Sequence, residues 1–298
     1  MNDVTVLSIL KCPVCGKDLK RDGNALLCEN KHTFDVSRSG YVNLLPPGKE
    51  KNSRTGDEKK MIRARADFLA CGHYERISTC LAQFISQYRE NISSICDMGS
   101  GEGYHTLNIA RVLGEKTNGR LIALGADASK YGAECASKRS RMLGLMPRDG
   151  IGGDCEEKTQ AYFVPANIFS MPIKDGKIDL CVSMFAPIPW DECGRVLSDE
   201  GMLAVVSSGK DHLIEMREII YDEVKEADFS PKCDEGFEKI AEKSIKYTAH
   251  LGTKKEIEDL FTMTPFYYKT TEEGRARLLS CESLDVTVNV KYSLFAKK

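Results

Sequence analysis

Residues 93–115 read SSICDMGSGEGYHTLNIARVLGE. A short apolar run carries Asp97, glycines follow at 99, 101 and 103, and apolar residues then recur at helical spacing from Leu107. This is a strand handing over to a helix through a turn without β-carbons. Such a turn lets a ligand approach the backbone, and the helix that follows offers it free N–H groups. Downstream, RLIALGADAS, AYFVPAN, KIDLCVSMFAP and GMLAVVSSG read as further strands separated by helix-sized stretches. That alternation predicts a doubly wound, mostly parallel α/β sheet. A strand, a helix and a closing strand are expected after residue 240, in EKSIKYTAHLGTKKEIEDLFTMTPFYYKT and SLDVTVNVKYSLFAKK.

Three carboxylates narrow the ligand. Asp97 suits an ammonium group, and Glu102 inside the loop would repel a pyrophosphate. Asp127 closes the next strand, 24 residues past Gly103, where it can accept ribose hydroxyls. An amino-acid end plus a ribose and no phosphate describes S-adenosylmethionine. Gly99, Gly101 and Gly103 are the expected cradle. Ligands in open α/β sheets lie at the carboxyl ends of the strands, so Asn167 is expected at the adenine and His212 beside the cofactor. Phe185, Ala186, Pro187 and Trp190 are the candidates for the pocket of the group to be methylated, Phe185 and Trp190 by stacking. Asp191 and Glu192 are the nearest candidate proton acceptors.

A second motif stands at the front. Residues 12–32, CPVCGKDLKRDGNALLCENKH, place Cys12, Cys15, Cys28 and His32 in the order C-x2-C-x12-C-x3-H. Two close pairs separated by about a dozen residues are the pattern of a closed tetrahedral zinc site, structural because no position is left open for water. The apolar content of residues 1–46 is too thin for an independent core, so a metal staple is expected. The other nine cysteines are scattered singly and read as buried free thiols of a reducing cytoplasm.

The chain has 298 residues, 42% hydrophobic and 29% charged, with a net charge of −2. No stretch is long and apolar enough to span a bilayer, and the start does not read as a signal peptide. Residues 1–65 hold 13 Lys and Arg against 8 Asp and Glu, so basic charge is concentrated at the front. Lys49, Lys51, Arg54, Lys59, Lys60, Arg63 and Arg65 are the candidates for contact with nucleic-acid phosphates. The expected organisation is a zinc-binding module at 1–46, a basic linker and helix at 47–75, and a catalytic domain at 76–298. The Gly-rich stretch 139–160 reads as an exposed excursion between the second helix and third strand.

These motifs occur in a familiar order. The zinc motif is followed by FDVSRSGYVNLLPPG, KNSRTGDEKKMIRARADFLACGHY, DMGSGEGYHT, FAP and MTPF. This order resembles the RlmA-type large-subunit ribosomal RNA (guanine-N1)-methyltransferases, whose relatives include enzymes protecting bacteria from tylosin-like macrolides. The resemblance runs from Cys12 to the C-terminus and is most diagnostic from Gly40 to Tyr74. It implies a class I S-adenosylmethionine-dependent methyltransferase with a seven-stranded sheet and a small N-terminal zinc ribbon holding one zinc. It implies a cofactor loop at Gly99, Gly101, Glu102 and Gly103, with Tyr74 and His212 near the methyl donor. The implied substrate is a guanine in a 23S ribosomal RNA hairpin that the zinc module helps to recognise, and members can form homodimers. The 139–160 excursion is longer than the family pattern, and the loops on the metal side differ. Two other readings fit the motifs: a methyltransferase for small molecules, and an inactive zinc-ribbon RNA-binding protein.

Overall fold

A computed structural model describes residues 5–46, 59–224 and 231–298. Its centre is a seven-stranded sheet. The strands are β4 (Ser94–Met98), β5 (Leu121–Asp127), β6 (Thr159–Pro165), β7 (Ile178–Met184), β8 (Leu197–Ser208), β9 (Phe237–Leu251) and β10 (Leu284–Lys297). They lie in the order β6-β5-β4-β7-β8-β10-β9. β4 through β8 pair in parallel, while β10 runs antiparallel to both β8 and β9. This order, reversing at β4 and closed by one antiparallel strand, is the class I methyltransferase fold. The reversal opens a crevice at the carboxyl ends of β4 and β7, where a ligand fits.

Every residue of β4 is buried, because the sheet is covered on both faces. Ile95, Ala123, Leu180 and Val182 point to one face, against α3 (Glu75–Ile85) and α4 (Tyr104–Lys116). Cys96, Met98, Leu124 and Cys181 point to the other. The two faces alternate along each strand, as the pleat requires. α2 (Lys59–Ala70) packs against α8 (Lys254–Thr262), and α5 (Lys130–Met142) lies along β6. α9 (Glu272–Leu279) packs on α7 (Ile214–Ile220). It begins at Thr271, whose hydroxyl accepts from Gly274 N, and is not evident in the sequence pattern.

Much of the second face is covered by the zinc module. It consists of α1 (Val6–Ile9) and a small antiparallel sheet of β1 (Leu19–Asp22), β2 (Ala25–Cys28) and β3 (Thr33–Asp35). Val6, Leu10, Leu26, Val42 and Leu44 are buried in one cluster with Met98, Tyr162 and Val164 of the large sheet. The module's thin apolar content is thus completed by its neighbour, each such side chain contributing about 1.5–3 kcal/mol. Backbone bonds reinforce the seam: Lys11 N donates to Pro172 O at 2.9 Å, and Leu44 N to Pro165 O at 3.0 Å.

The 139–160 stretch is exposed in part, as expected, at 142–144 and 156–158, but buried at its centre. α5 continues to Met142, and the segment beyond it folds back onto the zinc module, burying Gly150 and Ile151. The Arg21 guanidinium donates to the carbonyls of Ile151 (2.6 Å) and Asp149 (3.1 Å), and Arg141 donates to Arg38 O at 3.0 Å. The segment is a bracket between the two parts of the molecule. Among the described residues, no helix is long and apolar enough to cross a membrane.

Candidate active site

Gly99, Gly101 and Gly103 all have positive φ, at 85°, 55° and 81°. Added β-carbons show what the turn would lose. One on Gly103 would lie 2.7 Å from both Ala136 Cβ and the Phe163 ring, and one on Gly99 would lie 2.8 Å from Ala186 Cβ. The loop therefore wedges between β6, α5 and the segment after β7, and only glycine satisfies both the backbone and the space.

Asp97 and Glu102 are both buried beside this loop. Thr106, in the first turn of α4, donates its hydroxyl to Asp97 Oδ2. Asp97 Oδ1 and Glu102 Oε2 have no hydrogen-bond partner. Burial, opposed by Thr106 and reinforced by the Asp127 and Glu102 charges, pushes the Asp97 carboxyl up to about 7. Burial raises Glu102 too, with the Arg65 cation opposing it. A buried carboxylate oxygen without a donor is costly, and an ammonium group relieves that cost. The orphan Oδ1 of Asp97 therefore fits the amino group of S-adenosylmethionine.

Asp127 has a task beyond the one expected. Its Oδ2 accepts from Gly101 N at 3.0 Å and its Oδ1 from Ser129 N at 2.7 Å. It ties the glycine loop to the end of β5. Asn167 Oδ1 accepts from Phe169 N at 3.1 Å, closing a turn at the end of β6.

Tyr74 and His212 are brought together, with Tyr74 Oη and His212 Nε2 3.5 Å apart. Asn289 N donates to His212 Nδ1 at 3.2 Å, so the imidazole proton resides on Nε2, facing Tyr74. Burial, aided by the Arg217 charge, lowers His212 to about 4. The ring is neutral and holds its proton.

Phe185, at the end of β7, has φ 53° and an exposed ring. Left-handed backbone is strained for an aromatic residue. Its ring stacks on His212, with centroids 6.0 Å apart and planes 18° from parallel. Ala186 packs on Gly99, and Pro187 is exposed beside it. Trp190 does not join this group. It packs against Phe237 and Phe295, at centroid distances of 5.2 and 5.1 Å, in the cluster on the other face of the sheet. Its ring is engaged in packing and is not a stacking platform. Nor is Glu192 a free base: its carboxylate pairs with Arg195 and accepts from Met171 N, bracing the start of α6 (Trp190–Val196).

Cys12, Cys15, Cys28 and His32 converge, every ligand atom lying within 4.8 Å of the others. Cys15 Sγ to Cys28 Sγ is 3.7 Å, Cys12 Sγ to His32 Nδ1 is 3.6 Å, and Cys28 Sγ to His32 Nδ1 is 3.3 Å. A tetrahedron with Zn–S of about 2.3 Å and Zn–N of about 2.0 Å has edges of about 3.5–3.8 Å. The donor set fits one structural zinc. Gly16 and Lys31, with φ of 73° and 62°, turn the two knuckles that aim the ligands inward.

Of the basic candidates, Lys49, Lys51 and Arg54 lie outside the described residues. Lys59, Lys60 and Arg63 are exposed on α2. Arg65 is turned instead toward the glycine loop, where a β-carbon on Gly101 would lie 3.3 Å from its Nη1. Its Nη2 donates to Met263 O at 3.5 Å. The sequence carries a signal for this: position 65 follows the buried Met61 and Ile62, and precedes Phe68 and Leu69, at helical spacing.

Comparison with known proteins agrees with this geometry. Residues 10–54 match the family model of the RlmA N-terminal zinc ribbon. The whole chain resembles the RlmA-type methyltransferases. It is 29% identical over 294 residues to the Bacillus subtilis protein YxjB, provisionally named a 23S rRNA (guanine-N1)-methyltransferase, with 95% of each chain covered. It is also 29% identical over 255 residues to the 23S rRNA (guanine(748)-N(1))-methyltransferase of Streptomyces fradiae, covering 83% of this chain and 81% of the other. A provisionally named 23S rRNA (guanine-N1)-methyltransferase of Micromonospora griseorubida is 28% identical over 311 residues, with 97% of each covered.

Proposed function

We propose that this chain is an enzyme that methylates N1 of a guanine in a 23S ribosomal RNA hairpin. The observation that carries the reading is Phe185: an exposed aromatic ring, held in strained backbone, at the carboxyl end of β7 beside the glycine loop. A base inside a hairpin must be splayed out to react, and an aromatic face is what receives it.

S-adenosylmethionine supplies a methyl group on a sulfonium, which a nucleophilic nitrogen takes by in-line displacement. Asp97 would anchor the donor's ammonium, the glycine loop would admit its amino-acid end, and Asp127 would accept from its ribose. Phe185 and the Ala186–Pro187 turn hold the guanine plane against this edge and exclude water. N1 of neutral guanine carries a proton that must leave, and Asp191, exposed at the start of α6, is the candidate to accept it. His212 does not take it, because Nδ1 is already an acceptor and Nε2 already protonated. His212 and Tyr74 instead form a fixed pair behind Phe185.

The zinc module contributes exposed Lys17, Lys20, Lys31 and Arg38, cations suited to the phosphates of a folded hairpin. Homodimer formation, which would extend this basic surface, is part of the same proposal. The chain works where ribosomal RNA is made, in the cytoplasm.

Incubation with labelled S-adenosylmethionine and 23S rRNA tests the reading. Label is expected in the RNA, with reverse transcription stopping at one guanine, because an N1 methyl blocks its pairing face. Absence of label from every RNA substrate, or label only in small molecules, overturns it.

A further inference from the structure

Away from the zinc module and the glycine loop, a second group of cations gathers at the amino end of α2. Lys60 Nζ donates to the hydroxyl of Tyr267 at 3.1 Å, and the same ammonium stands 5.1 Å from the centre of that ring. The guanidinium of Arg275, on α9, lies 4.3 Å from the centroid of the same ring. These residues line a cavity of about 110 Å³ with Glu258, Phe261 and Thr262. Lys60 from α2 and Arg275 from α9 thus meet at one aromatic ring.

The arrangement is electrostatically incomplete. Among the described residues, neither Lys60 nor Arg275 forms an ion pair with a carboxylate, Glu258 included. Like charges held around one small cavity repel, and an anion placed between them converts that repulsion into attraction. Tyr267 supplies the ring and the hydroxyl near which both cations stand, and its own hydroxyl is lowered by Lys60 and Arg275. An ammonium and a planar guanidinium together suit an oxyanion, and the phosphates of an RNA strand are the oxyanions that the proposed substrate brings.

The position matters as much as the chemistry. Lys60 and Arg65 share α2, five residues or about 7.5 Å along the axis. Arg65 reaches Gly101 of the glycine loop and is held there by Met263 O, four residues before Tyr267. The cavity is thus tied, through α2 and the stretch from Met263 to Tyr267, to the side chain that approaches the glycine loop. Next to it, the Tyr268 ring is 58% exposed and stands edge-on to Tyr267, 5.2 Å between centroids.

We propose that Lys60, Tyr267 and Arg275 form a notch that grips a backbone phosphate of the RNA substrate. The proposal rests on the reading of the chain as a ribosomal RNA methyltransferase and adds the element that registers the strand beside the target base.

The test uses the full-length protein with K60A, R275A and the double variant. Each is titrated against a 23S rRNA transcript at several salt concentrations, with affinity for S-adenosylmethionine measured separately by calorimetry. Each lost contact is expected to make the log–log salt slope shallower by roughly 0.7–0.9, and the double variant to bind RNA roughly tenfold or more weakly. Cofactor affinity stays at the wild-type value, which shows that the fold is intact. K60R and R275K, which keep the charges, restore most of the binding. A double variant with wild-type RNA affinity and slope, in a protein that methylates RNA, overturns the notch alone. A wild-type protein that transfers methyl to no RNA overturns both the notch and the functional reading.

Discussion

Gly40 of the zinc module and Gly150 of the bracket touch backbone to backbone: a β-carbon on Gly150 would lie 2.5 Å from Gly40 Cα. Ile151 N donates to Gly40 O at 2.9 Å across the same contact, and both glycines have left-handed φ, 95° and 79°. Replacing Gly150 by alanine therefore incurs both strain and a clash with main chain that has no rotamer to escape into. Gly150→Ala is expected to destabilise the protein by about 2–4 kcal/mol. A wild-type midpoint in urea would show that the bracket is dispensable.

Removing the zinc should be felt beyond the module. Cys12 and Cys28 are buried in the same cluster as Met98, Tyr162 and Val164 of the large sheet. A chelator, or Cys12→Ser, is expected to abolish stoichiometric zinc and expose that apolar face. The readouts are metal analysis and binding of a hydrophobic dye. Loss of metal with no gain in dye binding would mean that the seam holds without its staple.

Cofactor binding should depend on pH through Asp97. Its folded carboxyl is raised to about 7 from 3.8, so the proton is favoured in the folded, cofactor-free state. The stability it contributes is complete below 3.8 and is lost as pH rises through about 7, by an amount on the order of a few kcal/mol. An ammonium ligand needs the ionised form, so S-adenosylmethionine affinity should fall as pH drops below about 7. Asp97→Asn should weaken that affinity, flatten its pH dependence and stabilise the cofactor-free protein at pH 8. Calorimetry at several pH values decides, and an unchanged profile in the variant removes Asp97 from this role.

His212 titrates in the opposite sense. Its folded value is lowered to about 4 from 6.5, so the neutral ring is favoured. The resulting stability is complete above 6.5 and is lost as pH falls toward 4. His212→Asn is expected to shift acid unfolding to lower pH. The wild-type methyl-transfer rate should show no limb from this group between pH 6 and 8, and a limb that vanishes in the variant would make His212 a proton carrier after all.

Phe185 should trade stability for activity. Phe185→Gly relieves the left-handed strain, worth about 1 kcal/mol or more, yet removes the ring on which the base is expected to stack. Stability is predicted to rise or hold while methyl transfer falls at least about tenfold, with cofactor affinity unchanged. Full activity in the glycine variant would remove the stacking platform from the mechanism.

Much of the site is legible in the amino-acid pattern. The zinc donors and the glycine turn are local: their spacing sets backbone geometry within a few residues, so the pattern carries its own meaning. Arg65 is readable in principle, since the helical period puts it on the inner face of α2, but its charge suggests an outward, solvated position. Trp190 misleads for the reverse reason. Its closeness to Phe185 in sequence suggests a shared pocket, whereas the helix start at 190 turns its ring to Phe237 and Phe295 across the sheet.

By itself, then, the sequence determined the set of metal donors, the glycine turn and the alternating α/β plan, because each rests on short-range backbone conformation and side-chain periodicity. Tertiary structure alone decided that the 139–160 stretch clamps the zinc module, that Phe185 adopts a strained backbone facing His212, and that Lys60 and Arg275 meet on one ring. Each of these joins residues far apart in the chain. Such contacts are selected by how two faces of one sheet are covered, and that choice leaves no local periodicity to read.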